Sequence, residues 1–362
     1  MLSRREVLAG AGVSAAMLSL PGCGAGTDMN DYEKAAAGIR TALAPTADMR
    51  EIVRYATLAA NSHNTQPWLF RLSGDRAEIL PDLSRRTPAV DPDDHHLYGS
   101  LGCAAENFAL AAAARGRRGD IAFEPAEDGR IGVDLTRGPA EESPLFTAIP
   151  QRQCTRSEFD GRTVDTSDLA LLEKAARVEG VRLILLTDRP RIETVLEQVI
   201  EGNTAQMNDP AFVRELKTWL RFNEAEALAA RDGLFSAVSG NPTLPSWLAG
   251  IVFRFAFTTS GENDRYAAQI RSSAGIAIFV SEHDDKAHWV NAGRACQRFA
   301  LQATTLGIRH AFINQPVEVP RIRAAFADWL GLDGGRPDLV LRFGFAPEMP
   351  KSLRRPVEAV LV

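Results

Sequence analysis

Hydrophobic positions along the 362-residue chain change repeatedly between helical and alternating spacing. Met49, Ile52, Val53, Ala56 and Ala60 recur every three or four residues behind Asp48, a capping residue. This predicts a helix with one buried stripe, ending at the turn-forming Asn61-Ser62-His63-Asn64. Trp68 to Leu72 and Ala77 to Leu80 flank Ser73-Gly74-Asp75 and predict a β-hairpin. Short aliphatic runs at Arg182 to Thr187, Ile276 to Val280 and Leu339 to Phe343 predict strands set between helices. The pattern indicates an α+β sandwich and not one long parallel sheet.

A repeat organises these elements. Aligning Asp93 to Gly116 with Asp284 to Gly307, without gaps, gives nine identities in 24 positions. They include Asp93/Asp284, Asp94/Asp285, Gly102/Gly293, Phe108/Phe299 and Gly116/Gly307. Each copy reads as an acidic cap feeding a helix of small residues that stops at glycine. Two such helices can approach closely at a pseudo-twofold axis, so the chain is expected to contain its own dimer. The polar and aromatic stretch from Asn203 to Gly261 has no counterpart in the first half and reads as an insertion, either a lid or satellite packing.

Composition narrows the class. With 45% hydrophobic and 24% charged residues and a net charge of −5, the chain has the composition of a globular protein and no basic field for nucleic acid. Residues 1–23 run from Arg4-Arg5 through a weakly apolar stretch to Leu20-Pro21-Gly22-Cys23, which resembles a twin-arginine export signal with a lipobox. The expectation is export to the periplasm, with membrane contact only through a lipid on Cys23. Residues 24–47 read as a tether. Cys103, Cys154 and Cys296 form an odd set without paired spacing, which argues against a disulfide framework. Asp91, Asp93, Asp94, His95 and His96 could attract a metal, but the two aspartates that recur at Asp284 and Asp285 favour helix capping, and no metal is expected.

Two segments carry candidate chemistry. Ser62-His63-Asn64-Thr65-Gln66-Pro67-Trp68 sets a hydroxyl, an imidazole and two carboxamides on a braced turn, able to meet the polar rim of a planar heteroaromatic ring. Arg152-Gln153-Cys154-Thr155-Arg156 places two arginines at i and i+4, on one face if helical, where they can clamp a phosphate.

With these motifs the sequence resembles the nitroreductase family of FMN proteins, which carry R-x-S-x-R and P-S-x-x-N-x-Q-P-W. It is most similar to the Acg-type branch, in which two such folds are fused. Arg152, Cys154 and Arg156 match the first motif, with Cys for Ser. Asn64, Gln66, Pro67 and Trp68 match the second, with Ala60-Asn61 for Pro-Ser. Lys351 to Pro356 resembles the closing basic segment, whose arginine, Arg354 or Arg355, meets the FMN phosphate. The resemblance implies two tandem nitroreductase-like halves, 48–148 and 149–362, forming an intramolecular pseudo-dimer that needs no partner chain. Each motif occurs once, so it implies one FMN, bound by Ser62, His63, Asn64, Gln66, Arg152, Cys154, Arg156, Arg354 and Arg355.

The flavin then carries the chemistry, with no side chain required as catalytic acid, and passes electrons from NAD(P)H or a quinol to a nitroaromatic, quinone or similar planar molecule. The competing expectation is an envelope protein that sequesters FMN without turnover; a scaffold without cofactor is the third.

Overall fold

The computed structural model describes residues 29–362. The export-signal and lipobox reading of residues 1–23 lies outside them. Two four-stranded sheets dominate, and every strand pair in both is antiparallel. The first contains β1 (Trp68–Ser73), β2 (Arg76–Pro81), β3 (Arg117–Glu124) and β4 (Arg130–Arg137), in the order β1-β2-β4-β3. The second contains β5 (Val181–Leu186), β8 (Gly275–Ser281), β9 (Arg309–Phe312) and β10 (Arg336–Gly344), in the order β5-β8-β10-β9. A central helix separates the second and third strands of each: His95–Ala113 in the first half, Lys286–Thr305 in the second. Strand order, direction and helix position therefore repeat, as a fused duplication requires.

The two central helices pack on each other through their small residues. A Cβ on Gly102 would lie 2.0 Å from Val290 O, and one on Gly293 would lie 1.9 Å from Gly99 O. Each helix is followed by a left-handed glycine, Gly116 at φ +68° and Gly307 at φ +69°. Polar pairs across the interface follow the same symmetry with different chemistry. Arg298 Nη1 donates to Glu106 Oε1 at 2.6 Å, and at the equivalent pair Gln297 Nε2 donates to Asn107 Oδ1 at 2.8 Å. Arg336 joins the recurring aspartates Asp93 and Asp284.

The capping expectation needs correction at one copy. Asp285 caps its helix, accepting from His288 N at 2.9 Å, but Asp94 sits at φ +65° and makes no such bond. Asp91 does the capping there, accepting from His96 N and Leu97 N. The tether expectation is also corrected. Met29–Gly38 is a helix, and its Tyr32 and Ala36 pack against Phe235, Val238 and Leu353.

In the first half β1 and β2 join through a tight turn at Gly74. The matching connection in the second half runs from 187 to 274 and holds the helices Arg189–Met207, Pro210–Trp219, Glu224–Ala230, Ser246–Ala256 and Thr259–Arg271, with the short pair β6 (Leu220–Arg221) and β7 (Leu234–Phe235). The excursion is thus wider than 203–261. The last residues cross back to the first half, where Phe70 N donates to Val360 O at 2.7 Å and Val362 N to Phe70 O at 3.0 Å.

Candidate functional site

The helix Met49–Ala56, capped by Asp48, delivers the chain into the polar turn. That turn is held in an uncommon backbone: His63, Asn64 and Gln66 have φ of +46°, +54° and +54°. Left-handed residues with side chains persist only where the surroundings over-determine them, and they concentrate at functional sites. Here Asn61 Oδ1 accepts from Gln66 N at 2.9 Å, Gln66 Oε1 from Arg355 N at 2.8 Å, and Asn64 Oδ1 from Arg354 Nη1 at 2.9 Å.

The Arg152–Arg156 segment is extended and not helical. Cys154 pairs with His310 in a parallel bridge, and Thr155 N donates to His310 O at 2.8 Å. Alternation along an extended chain brings Arg152, Cys154 and Arg156 to one side. The Gln153 side chain bonds the backbone N and O of Met349. Buried Arg342 on β10 anchors the segment, donating to Thr155 O and Ser157 O.

These pieces meet around two adjoining chambers. The smaller, a cavity of about 60 Å³, is lined by Arg40, Arg152, Arg156 and Arg354 together with Asn64 and Cys154. The larger has a cavity volume of about 230 Å³ and opens to solvent. Ser62, His63 and Ser100 from the first half line it, with Tyr266, Gln315 and Glu318 from the second. Ala60, Asn61, Arg156, Leu234 and Phe312 line both, so the two chambers adjoin.

The smaller chamber has a distinctive charge. Among the described residues no carboxylate lies within ion-pair distance of any of its four guanidiniums. Burial lowers Arg40 to about 10, with Arg152 adding repulsion, and drives Arg354 well below its usual range. Arg152 Nη2 donates to Leu58 O, and Arg354 donates to the carbonyls of Thr57, Leu58 and Ala59, which follow the Met49–Ala56 helix. Arg152 Nε is buried without a partner. Converging cations with a spare donor suit a phosphate.

In the larger chamber burial, then Arg156, lowers His63 to about 4, so its imidazole is neutral. Gln66 and Arg355 line neither chamber. The Gln66 amide bonds Arg231 O, and the Arg355 guanidinium pairs with Asp82 at 3.4 Å. They pin the turn from behind. Asn61 stands at the serine position of the second motif, whereas Arg40, from the supposed tether, Ser100 and Glu318 were missed; of these only Arg40, a lone basic residue ahead of Asp48, left any signal.

Asp91, His95 and His96 come within metal-ligand reach of one another. Burial works against charge on His95, but hydrogen bonds to Asp91 and Asp93 hold it up to about 9. A metal bound there would have to displace that proton.

No family model matches the chain. A Mycobacterium tuberculosis protein provisionally named an NAD(P)H nitroreductase is 27% identical over 340 residues, covering 91% of this chain and 95% of its own length. A second from the same species, provisionally named the NAD(P)H nitroreductase acg, is 21% identical over 326 residues, 86% of this chain and 94% of its own. The likeness to the nitroreductase family and its Acg-type branch thus runs through nearly the whole chain, as the motifs implied. Among solved structures, an FMN-bound nitroreductase from Bacteroides fragilis is 16% identical, covering 57% of this chain and 89% of its own, with a TM-score of 0.34. The FMN-dependent nitroreductase NfnB from Mycobacterium smegmatis, in complex with NADPH, is 11% identical, covering 60% and 91%, with a TM-score of 0.39. Scores this low add nothing to the repeated topology.

Proposed function

We propose that the cleft binds one FMN, phosphate in the arginine-lined chamber and ring in the larger one, and that the chain is a nitroreductase-type oxidoreductase. The donor is a nicotinamide nucleotide and the acceptor a nitroaromatic, quinone or similar planar molecule. The observation that carries this reading is the set of four guanidiniums with no carboxylate in ion-pair range among the described residues, lining a chamber that adjoins a larger one. The relatives provisionally named NAD(P)H nitroreductases support both activity and donor.

Arg40, Arg152, Arg156 and Arg354 would hold the phosphate, while Asn61, Ser62 and neutral His63 present donors and acceptors to the ring's rim. FMN held there would supply hydride transfer between donor and acceptor. The helices of the 187–274 excursion supply Phe212, Leu216 and Phe257 as an apolar wall that limits water in the chamber. Export through the first 23 residues stays part of the proposal, since it adds a membrane quinol as a second possible donor.

The same wall supports the competing reading, storage of FMN behind a closed cover. Anaerobic mixing of the yellow holoprotein with NADPH separates the two. Bleaching with turnover on a nitroaromatic is expected; reduction by dithionite alone points to storage.

A further inference from the structure

The larger chamber contains a carboxyl group that this reading leaves without a task. Glu318 ends the short helix Gln315–Glu318 and lines the chamber beside Gln206 and His96, its side chain 13% exposed. Gln206 Nε2 donates to Oε2 at 2.6 Å, and His96 Nδ1 stands 3.7 Å from Oε1. Among the described residues no lysine or arginine lies in ion-pair range of it. On the helix Arg189–Met207, Glu201 is paired outward with Arg321. On the helix Pro320–Trp329, Arg323 turns to Val317 O and Asp93. On β10, Asp338 is bonded to Ser281 and Arg336. Asp91 and protonated His95 lie behind His96, and Tyr266, Glu262, Arg265 and Arg156 share the chamber, with burial also raising the Glu262 carboxyl.

Burial raises the Glu318 carboxyl to about 7, outweighing the Gln206 hydrogen bond. Burial also drops His96 to about 3, so the neighbouring ring is neutral and gives the carboxylate no counterion. A protonated carboxyl facing the chamber near neutral pH suits proton transfer.

We propose that Glu318 is a catalytic acid that delivers a proton to the acceptor in the larger chamber. The inference rests on the flavin reading above. Reducing a quinone to its hydroquinone adds two electrons and two protons. A hydride from the reduced flavin brings both electrons and one proton. The second proton comes from Glu318: its O–H bond breaks as the acceptor oxygen forms its own, and water entering the chamber reprotonates the carboxylate.

The test uses FMN-loaded holoprotein, NADPH and a soluble benzoquinone. In the wild type the rate is expected to fall as pH rises past about 7, because the acid form of Glu318 is lost. In E318Q we expect kcat to fall by roughly a hundredfold at pH 6 with KM for the quinone kept, and the alkaline limb to vanish. A readout independent of turnover is the wild-type minus E318Q infrared difference spectrum of the oxidised holoprotein at pH 6, which should show a carboxylic-acid band for Glu318 once the shared bands of Asp338, raised to about 6, and of Glu262 cancel. In a second variant, Gln206→Leu, loss of the hydrogen bond that favours the carboxylate should move both the band's midpoint and the alkaline limb to higher pH. An E318Q enzyme with the wild-type rate and pH profile, or a difference spectrum without the band, overturns the inference while leaving the flavin reading intact. A chain that takes up no FMN overturns both.

Discussion

Gly102 and Gly293 are mates under the internal symmetry, and each is the point where its helix presses on the backbone of the other. Gly102 faces Val290 O, Gly293 faces Gly99 O, and the same 191-residue offset relates Gly99 to Val290. Backbone carbonyls cannot swing aside as a side chain can, so either site excludes even a methyl group.

G102A and G293A should therefore each destabilise the fold by at least about 3 kcal/mol in a denaturant titration. Gly250, in the exposed helix Ser246–Ala256, has no heavy atom within 4 Å of an added Cβ. G250A should be neutral or stabilise by up to about 1 kcal/mol. Equal effects at all three positions would contradict the close helix contact.

The arginine cluster predicts opposite effects on binding and stability. Removing one of several mutually repelling, desolvated cations relieves the apo-protein, so R152M should leave its melting temperature unchanged or higher. FMN affinity should fall roughly tenfold to a hundredfold with the loss of a charge-assisted contact. Added inorganic phosphate should raise the melting temperature of the wild type more than that of R152M, as read by differential scanning fluorimetry.

Buried His95 predicts a pH signature. Its folded pKa, about 9, lies above the value near 6.5 expected when unfolded, so the folded state holds the proton more tightly. The stability it contributes is full below pH ~6.5 and is lost as pH rises through 9, by roughly 1–3 kcal/mol. His63, His96 and His310, lowered to about 4, 3 and 3, act only on the acid side, and Glu318, at about 7, touches only the lower edge of this window. Urea unfolding between pH 6.5 and 9 should show the slope in the wild type and not in His95→Asn.

Cys154 is the reporter for the smaller chamber. Cys103 and Cys296 are buried, whereas Cys154 is only partly buried and lines the chamber with Arg152 and Arg156. Iodoacetamide should modify Cys154 first in the apo-protein, and saturating FMN should slow that reaction at least about tenfold, followed by peptide mass spectrometry. C154S should keep FMN binding, since the related motif carries serine there.

Much of this was legible because local patterns and tertiary structure agree. The Asp48 cap, the Gly74 turn and the Gly102/Gly293 repeat each state a local rule that the fold obeys. Arg152 and Arg156 were paired through helical spacing, although alternation along an extended segment is what aligns them. The His310 bridge that extends the segment lies more than 150 residues away and leaves no local trace. Arg40 and Glu318 were hidden for the same reason: both reach the cleft through packing of distant elements. Gln66 and Arg355 matched the motifs but brace the turn from behind, because motif membership does not fix which way a side chain faces.

The central claim, one flavin in one cleft between duplicated halves, is tested most directly by the absorbance spectrum of the purified chain after gentle loading with FMN and removal of the excess. The account predicts a flavin spectrum with an FMN-to-chain ratio near one, falling sharply in an Arg152→Met, Arg354→Met double variant. A colourless protein, or a ratio near two, would contradict it.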